Sequence, residues 1–430
     1  MTKRIMIAAM AALFLLPSFA PGNGLNLNGL GSRAQGMGGA FVGIADDFSA
    51  VFWNPAGAAG FSREMFGFYA TDLIPRATYR RDFAFPEDPK VDARTKDSHY
   101  LGFLAGYYRP VSSKIVIGLG ISTPSEQGTL WNGADFAGLS AGTAYDWSSR
   151  LVVFSFSPLV AVKLSEAISV GLTLNVNLGT SSLKMPAGFS SLPDIGVLDP
   201  VDLGQYEENA TGWGLGATIG VLVKPIDKLS IGLTVRTPSA IAFDGSARMS
   251  NLSLYDLPGG SDLERKITWP LWVAGGVAFR PVPRLLLSAD VHWTQWSKLD
   301  RITTDYLDPV WSALMAESGK DVRTLLWADQ TQFRFGAEYR LNGTTALRAG
   351  YYNDPAPAPD STLNVLLPSH TYNAFSVGVG KAIGDLQLDF GLEYLAGNTR
   401  RQYSEGPGWD GPPTYGMNIL VPSVSVQYRF

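Results

Sequence analysis

Leu386-Gln387-Leu388-Asp389-Phe390-Gly391-Leu392-Glu393-Tyr394 alternates without a break. Leu386, Leu388, Phe390, Leu392 and Tyr394 share one face, and Gln387, Asp389, Gly391 and Glu393 share the other. A period of two places successive side chains on opposite faces of a sheet. Phe333 to Arg340 repeats the pattern, with Phe333, Phe335, Ala337 and Tyr339 against Arg334, Gly336, Glu338 and Arg340. So does the C-terminus, where Val424, Val426, Tyr428 and Phe430 oppose Ser425, Gln427 and Arg429. A soluble sandwich carries such strands as well, so the solvent has to be read from what joins them.

Turn signals divide the chain into roughly 14 strands, an even number within the range of bacterial barrels. Short and long connections then alternate. The short ones are 109–114, 164–168, 224–229, 280–284, 341–344 and 383–386. The long ones are 81–97, 123–146, 181–208, 238–265, 299–330, 354–370 and 397–415. Tight turns on one rim and long loops on the other are the layout of a transmembrane barrel, and a sandwich has no reason for it. The expected fold is all-β: an antiparallel transmembrane β-barrel of about 14 strands. Aromatic pairs near strand ends (Tyr107 and Tyr108, Trp293 and Trp296, Tyr351 and Tyr352) suit girdles at headgroup depth. A terminal aromatic such as Phe430 resembles the signal read by the outer-membrane barrel-assembly machinery.

The composition agrees. Net charge is -4, which gives nucleic acid no basic face to meet. Charged residues are 17% of the chain, below the roughly 25% of soluble domains. There is no Cys, so disulfides and thiolate metal sites are excluded. His99, His292 and His370 lack ligand spacing, and neither a metal nor a cofactor is expected. Lys3 and Arg4, then the apolar run Ile5 to Leu16, then Ser18-Phe19-Ala20 read as a secretory signal over residues 1–20. That run is too short to span a bilayer, and no later run is long enough for a transmembrane helix. The mature chain is expected in the outer membrane of a Gram-negative type cell.

Residues 21–62 differ from the rest. They are rich in Gly, Ala and Asn, lack sustained alternation, and precede the first convincing strand, Phe66 to Tyr79. Phe41, Val42, Ile44, Val51, Phe52 and Trp53 are too apolar for a disordered tail, so this segment is expected to fold back as a plug, or hatch, in the lumen of a barrel made by residues 63–430.

The plug also holds the most specific sequence. Gly36-Met37-Gly38-Gly39-Ala40-Phe41 is followed by Ala45-Asp46-Asp47-Phe48-Ser49-Ala50 and Asn54-Pro55-Ala56-Gly57. This order resembles the hatch of the FadL family, outer-membrane transporters of long-chain fatty acids and aromatic hydrocarbons. Leu119-Gly120-Ile121-Ser122-Thr123-Pro124 resembles that family's kinked third strand. Trp269-Pro270, Gly276-Val277-Ala278, Ser288-Ala289-Asp290-Val291 and Trp293-Thr294-Gln295-Trp296 resemble its mid-chain signature, and Leu347-Arg348-Ala349-Gly350 with Pro355 to Pro359 resembles another. The resemblance covers nearly all of the mature chain. It implies uptake of hydrophobic small molecules, by plug movement or by lateral opening at a kinked strand, with Leu25 as an apolar ligand contact.

Candidate site residues follow. Leu25, Gly36, Gly38, Asp46, Asn54, Pro55 and Ala56 belong to the hatch; in Asn54-Pro55, Pro fixes φ and pushes the preceding residue out of helical geometry. Gly118 and Gly120 suit either a strand kink or close packing against the plug. Val310, Trp311, Leu314 and Met315 share one face of a short helix, which suits either an external landing site for a hydrophobic ligand or packing on neighbouring loops. Asp290, Arg334, Glu338, Arg340, Arg348, Asp389 and Glu393 take the non-lipid phase and are expected to pair in the lumen, with Arg334 and Arg348 as candidate anchors for a ligand carboxylate. Two rivals remain to be tested against the structure. A general porin needs an open polar lumen. A lipid hydrolase needs a Ser-His-acid constellation, and no Ser sits in a nucleophile elbow.

Overall fold

The computed structural model describes residues 24–82, 90–192, 197–402 and 412–430, so the expected signal at 1–20 lies outside the described residues. Fourteen strands form the wall: β1 Met65–Arg81, β2 Tyr100–Pro110, β3 Ile115–Trp131, β4 Trp147–Lys163, β5 Ile168–Pro186, β6 Gln205–Ile226, β7 Leu229–Arg236 continued as Ser239–Met249, β8 Gly260–Trp269 continued as Trp272–Val282, β9 Leu285–Thr294, β10 Gln330–Arg340, β11 Thr345–Asp354, β12 Tyr372–Ile383, β13 Leu386–Gly397 and β14 Thr414–Arg429. Each pairs antiparallel with the next. β1 closes the sheet on β14, from Met65 opposite Arg429 to Arg80 opposite Thr414. The breaks in β7 and β8 fall beside Pro238 and Pro270, which have no N–H to give the ladder. Phe375, Val377 and Val379 point outward and are exposed, while Ser376 between them is buried. That is the expected alternation, apolar to lipid and polar to lumen.

Several strands outrun the sequence reading. Thr123–Trp131, Ser181–Pro186 and Ser239–Met249 continue β3, β5 and β7 where the sequence reading placed long connections. They look like loops in sequence because both of their faces carry polar residues. The aromatic pairs also divide. Tyr107 faces out, but its neighbour Tyr108 is buried in the lumen, and Tyr352 and Trp296 are fully buried. Within a strand, adjacent residues cannot share a face.

Residues 24–60 lie inside the wall. They form two short helices, α1 Ser32–Gly36 and α2 Ala50–Trp53, and a 3₁₀ turn at Pro55–Gly60. Leu30, Met37, Phe41, Val42, Phe48, Val51 and Trp53 make one apolar cluster with Tyr69, Leu104, Tyr108 and Trp272 of the wall. The approach is so close that the wall opposite is glycine. A Cβ on Gly171 would overlap the Pro55 carbonyl, one on Gly220 the Asn54 amide, and one on Gly232 the Val42 carbonyl. Gly38 has φ +64° with the β11 backbone at Tyr351 against it, so it meets both of glycine's uses at once. Much of the chain's high glycine content, 47 residues, is this clearance. Gly171→Val should therefore overpack the seat and cost about 1–3 kcal/mol. The expected result is a lower thermal unfolding midpoint with the heat-modifiable gel shift of a folded barrel kept. Gly343→Ala, in a turn with open space around it, is the control that should change neither.

Candidate functional site

The inner segment is held mainly through its backbone. Ser32 N–H donates to Ser425 Oγ (2.9 Å), Gly38 N–H to Ser376 Oγ (3.0 Å), Val42 N–H to Asp290 Oδ2 (2.8 Å), Phe48 N–H to Gln427 Oε1 (3.1 Å) and Val51 N–H to the Tyr108 hydroxyl (3.0 Å). Inward polar side chains on four different strands thus satisfy donors that no water reaches. Asn54 is the most connected residue of the segment's turn. Its amide donates to Val42 O and Val221 O (both 3.0 Å), and its Oδ1 accepts from Ala56 N–H (3.1 Å). Pro55 follows at the first position of the 3₁₀ turn, where its missing N–H costs nothing.

One buried ion network crosses from segment to wall. Arg33 Nε donates to Glu338 (2.7 Å), and its guanidinium also contacts Asp46. Glu338 accepts from Arg348 Nε (2.8 Å) as well, and Arg348 reaches Asp389 (2.7 Å). Arg348 is therefore committed to two carboxylates. Arg334 donates to Gln332 Oε1 and to the Asn28 and Gly38 carbonyls, and lies 4.2 Å from the Tyr352 ring centroid. Neither candidate carboxylate anchor lines the cavity described next. Arg340, on the same phase, sits exposed at the rim.

Above the segment lies a cavity of about 180 Å³. Leu25, Leu27, Leu73, Ile267, Leu366 and Met417 give it apolar walls. One corner is charged. Glu208 accepts from the Tyr206 hydroxyl (2.6 Å) and pairs with Arg265 (2.7 Å), and Tyr206 meets the Tyr306 hydroxyl (2.8 Å). Arg265 Nε is buried with no hydrogen-bond partner. Arg323 lines the same cavity and interacts electrostatically with Glu208 and Arg265; among the described residues no carboxylate lies within 4.0 Å of it. Two guanidiniums thus face one carboxylate. Burial pushes the nearby His370 down to about 4, so at neutral pH the imidazole adds no charge. Sequence reasoning missed Glu208, Arg265 and Arg323. All three stand in or at the ends of long connections, and only the Tyr206-x-Glu208 alternation hinted at an inward face.

The wall has a gap beside this cavity. The β2–β3 ladder stops at Leu104 opposite Ser122. Past it, Phe103 N–H turns to Thr123 Oγ1 (2.8 Å), and the β3–β4 register slips between Ser122 and Ser125. Backbone hydrogen bonding across the gap resumes where Lys96 N–H meets Leu130 O (2.7 Å). In between, Leu27 N–H donates to Pro124 O (3.0 Å), and the Gln127 amide contacts Gly24 O. Gly118 and Gly120 lie below the slip in regular ladder. A Cβ on Gly118 would stand 2.7 Å from the Tyr108 ring and one on Gly120 2.7 Å from Val51, so their smallness is packing clearance and the kink belongs to Thr123-Pro124.

The loop helix α3, Pro309–Glu317, is capped by Asp308, but its aromatic face turns inward. Trp311 is fully buried, donates to Pro258 O (2.7 Å) and stacks obliquely near Tyr306. Met315 is buried too, and of the four predicted positions only Val310 is exposed. Trp311 thus supports the tyrosines behind Glu208.

A profile of the family described as "Outer membrane protein transport protein (OMPP1/FadL/TodX)" matches residues 13–430. The chain belongs to that family. Among curated FadL/TodX relatives, the long-chain fatty acid transport protein of Escherichia coli O6:H1 is 24% identical, over 95% of this chain and 93% of the relative. Among solved structures, a Pseudomonas aeruginosa FadL homologue superposes with a TM-score of 0.75 at 14% identity, covering 95% of this chain and all of that one. The Pseudomonas putida toluene transporter TodX superposes at 0.72 and 17% identity, over 94% and 99%. These likenesses agree with the closed 14-strand barrel. The protein is thus a FadL/TodX-family barrel of the outer membrane, and the family is one of transport channels, not enzymes. Within it, Glu338 is the wall carboxylate that pairs with Arg33 of the inner segment. Glu338→Ala should leave Arg33 and Arg348 undercompensated and cost about 3–5 kcal/mol. Limited proteolysis should then cut within residues 24–60 of barrels that still show the heat-modifiable shift.

Proposed function

We propose that the chain takes up hydrophobic molecules that bear one anionic group, long-chain fatty acids first, and that residues 21–62 act as a plug. The observation that carries this reading is one corner of the cavity beside the wall gap, where Arg265 and Arg323 face the single carboxylate of Glu208; the other charged lining residues, Glu126, Arg150, Asp354 and Glu393, lie outside that corner, and Arg150 pairs with Glu126. A carboxylate would meet Arg265 Nε and Arg323, which lack a full set of partners, while Leu25, Leu27 and their neighbours bury the tail. Burial of apolar area contributes about 25 cal/mol per Å² before association costs. The gap between β2 and β3 offers a lateral way out, closed at rest by Gly24 to Leu27. Export by the signal at 1–20, cleavage near Pro21 and insertion by the barrel-assembly machinery through Phe430 complete the reading.

Uptake of neutral aromatic hydrocarbons is the second reading, favoured by the likeness to the toluene transporter and by the uncharged majority of the lining. A general porin is disfavoured, because residues 24–60 fill the lumen where polar solutes would pass.

Two experiments separate these. Arg265→Gln with Arg323→Gln removes two charge-assisted hydrogen bonds of about 1.5–3 kcal/mol each. Laurate binding to the purified barrel should weaken at least tenfold, while toluene uptake by cells lacking related transporters stays unchanged. Equal loss of both, or of neither, rejects the carboxylate corner. The second uses the absence of native cysteine. A Cβ on Gly102 would stand 3.3 Å from the Leu27 side chain, so cysteines at these two positions can be joined by a short bis-maleimide. Joining them should abolish oleate uptake relative to the same double-cysteine barrel left unjoined. Unimpaired uptake by the joined barrel rules out the lateral exit.

A further inference from the structure

The two rims of the barrel carry opposite charge. The external connections, residues 82–99, 132–146, 187–204, 250–259, 295–329, 355–371 and 398–413, contain 20 acidic and 9 basic residues. The short-turn rim, residues 63–64, 109–114, 163–168, 224–229, 280–285, 340–345, 381–386 and 429–430, contains 11 basic and 4 acidic side chains. Arg63, Arg109 and Lys163 pair with Asp385, Glu64 and Glu166. Among the described residues, Lys114, Lys228, Arg284, Arg340 and Lys381 have no carboxylate within 4.0 Å, and all five are exposed. They belong to five of the six short turns, so the positive charge is a ring and not a patch.

Each of those turns also presents one large apolar side chain. Val111, Leu164, Ile226, Val282, Leu341 and Ile383 are all at least 45% exposed, and Phe430 continues the series on β14. Among the described residues nothing covers them. An apolar tip beside a cation suits a boundary between hydrocarbon and anionic headgroups, where the tip enters the acyl layer and the long cationic side chain reaches up to phosphate. A single protein partner would need a face, and this arrangement runs around the whole circumference.

We propose that this ring binds anionic phospholipid headgroups of the periplasmic leaflet and so fixes the height of the barrel in the membrane. The lumenal charges take no part. Arg265, Arg323 and Arg33 all face inward, so the proposal stands apart from the transport reading.

The test uses the full mature chain in nanodiscs of phosphatidylcholine with one fifth phosphatidylglycerol, followed by native mass spectrometry of the lipids that remain bound. Phosphatidylglycerol should be enriched about threefold or more over its bulk share, consistent with the attraction of each basic side chain near an anionic surface. The enrichment should shrink in 0.5 M salt, because exposed charges are screened over a few ångströms there. Lys114→Gln, Lys228→Gln, Arg284→Gln, Arg340→Gln and Lys381→Gln combined should remove at least half of it. None of these residues touches the plug or the cavity, and the heat-modifiable shift reports folding of the variant. The salt arm, done on the wild type, decides the matter even if that variant fails to fold. Bound lipid of bulk composition, or an enrichment indifferent to salt or kept in the folded variant, overturns the proposal. So does displacement of the lipid by a poly-glutamate peptide at low micromolar concentration, which would mark the ring as a protein-docking surface.

Discussion

Hydrocarbon offers no hydrogen bond to a backbone, so a barrel wall in lipid has to pair every strand with its neighbours. This wall breaks that rule between β2 and β3, where the ladder ends at Ser122. The break survives because another piece of chain takes the place of the missing strand. Leu27 donates to the Pro124 carbonyl, Gly24 accepts from Gln127, and Thr123 turns its own hydroxyl to Phe103. The inner segment is thus part of the wall's hydrogen bonding as well as an obstruction in its lumen. Anything that lifts Gly24 to Leu27 leaves the Pro124 carbonyl and the Gln127 amide without these partners, and movement of the segment and opening of the wall become one event in the proposed transport.

That coupling explains the composition of the segment. A backbone can stand in for a strand only if it comes as close as one, and side chains prevent this. Glycine on the wall at positions 171, 220 and 232 removes the obstacle from one side, and Gly38 with its positive φ removes it from the other. Close approach also excludes water, so each segment donor needs a protein acceptor, and Asp290, Ser376, Ser425 and Gln427 supply them. The same exclusion makes the Arg33–Glu338–Arg348–Asp389 chain expensive to leave incomplete. Small residues, buried acceptors and a closed ion network are three consequences of one short distance.

The barrel was legible in sequence because its two solvents differ so sharply. Strands such as β10 and β13 put Arg334, Glu338, Asp389 and Glu393 on one phase only, and a one-residue slip of either strand would turn those charges to lipid. Asn54-Pro55 was legible as a turn because its constraint is local. The charged corner of the cavity was not, because Glu208, Arg265 and Arg323 come from three distant connections whose polarity reads as exposure. Of the two readings open for Gly118 and Gly120, close packing holds and the kink does not. Gly118 and Gly120 carry the sequence signal of a bend, but that signal is shared by any site of close packing, and here Tyr108 and Val51 fill the space. Trp311 lay on the predicted helical face, yet periodicity says which residues face together and nothing of what they face.

The positions of corner and gap bear on how a ligand would travel. Arg265 stands on β8, whereas the gap lies between β2 and β3, five to six strands away in a ring of fourteen. The cavity reaches both, with Ile267 at one side and Tyr100 and Gly128 at the other. In the proposed binding mode, a single amphiphile anchored by its head at Arg265 would point its tail across the lumen at the gap. In the proposed lateral route the tail would leave first, into lipid that resembles it, while the head keeps its ionic contacts until most of the apolar area has been transferred. The carboxylate then separates from Arg265 only after hydrocarbon burial has been regained outside, so no intermediate exposes both ends of the ligand at once. A neutral toluene has no such polarity of exit, which is why the two ligand classes are expected to respond differently to the same pair of arginines.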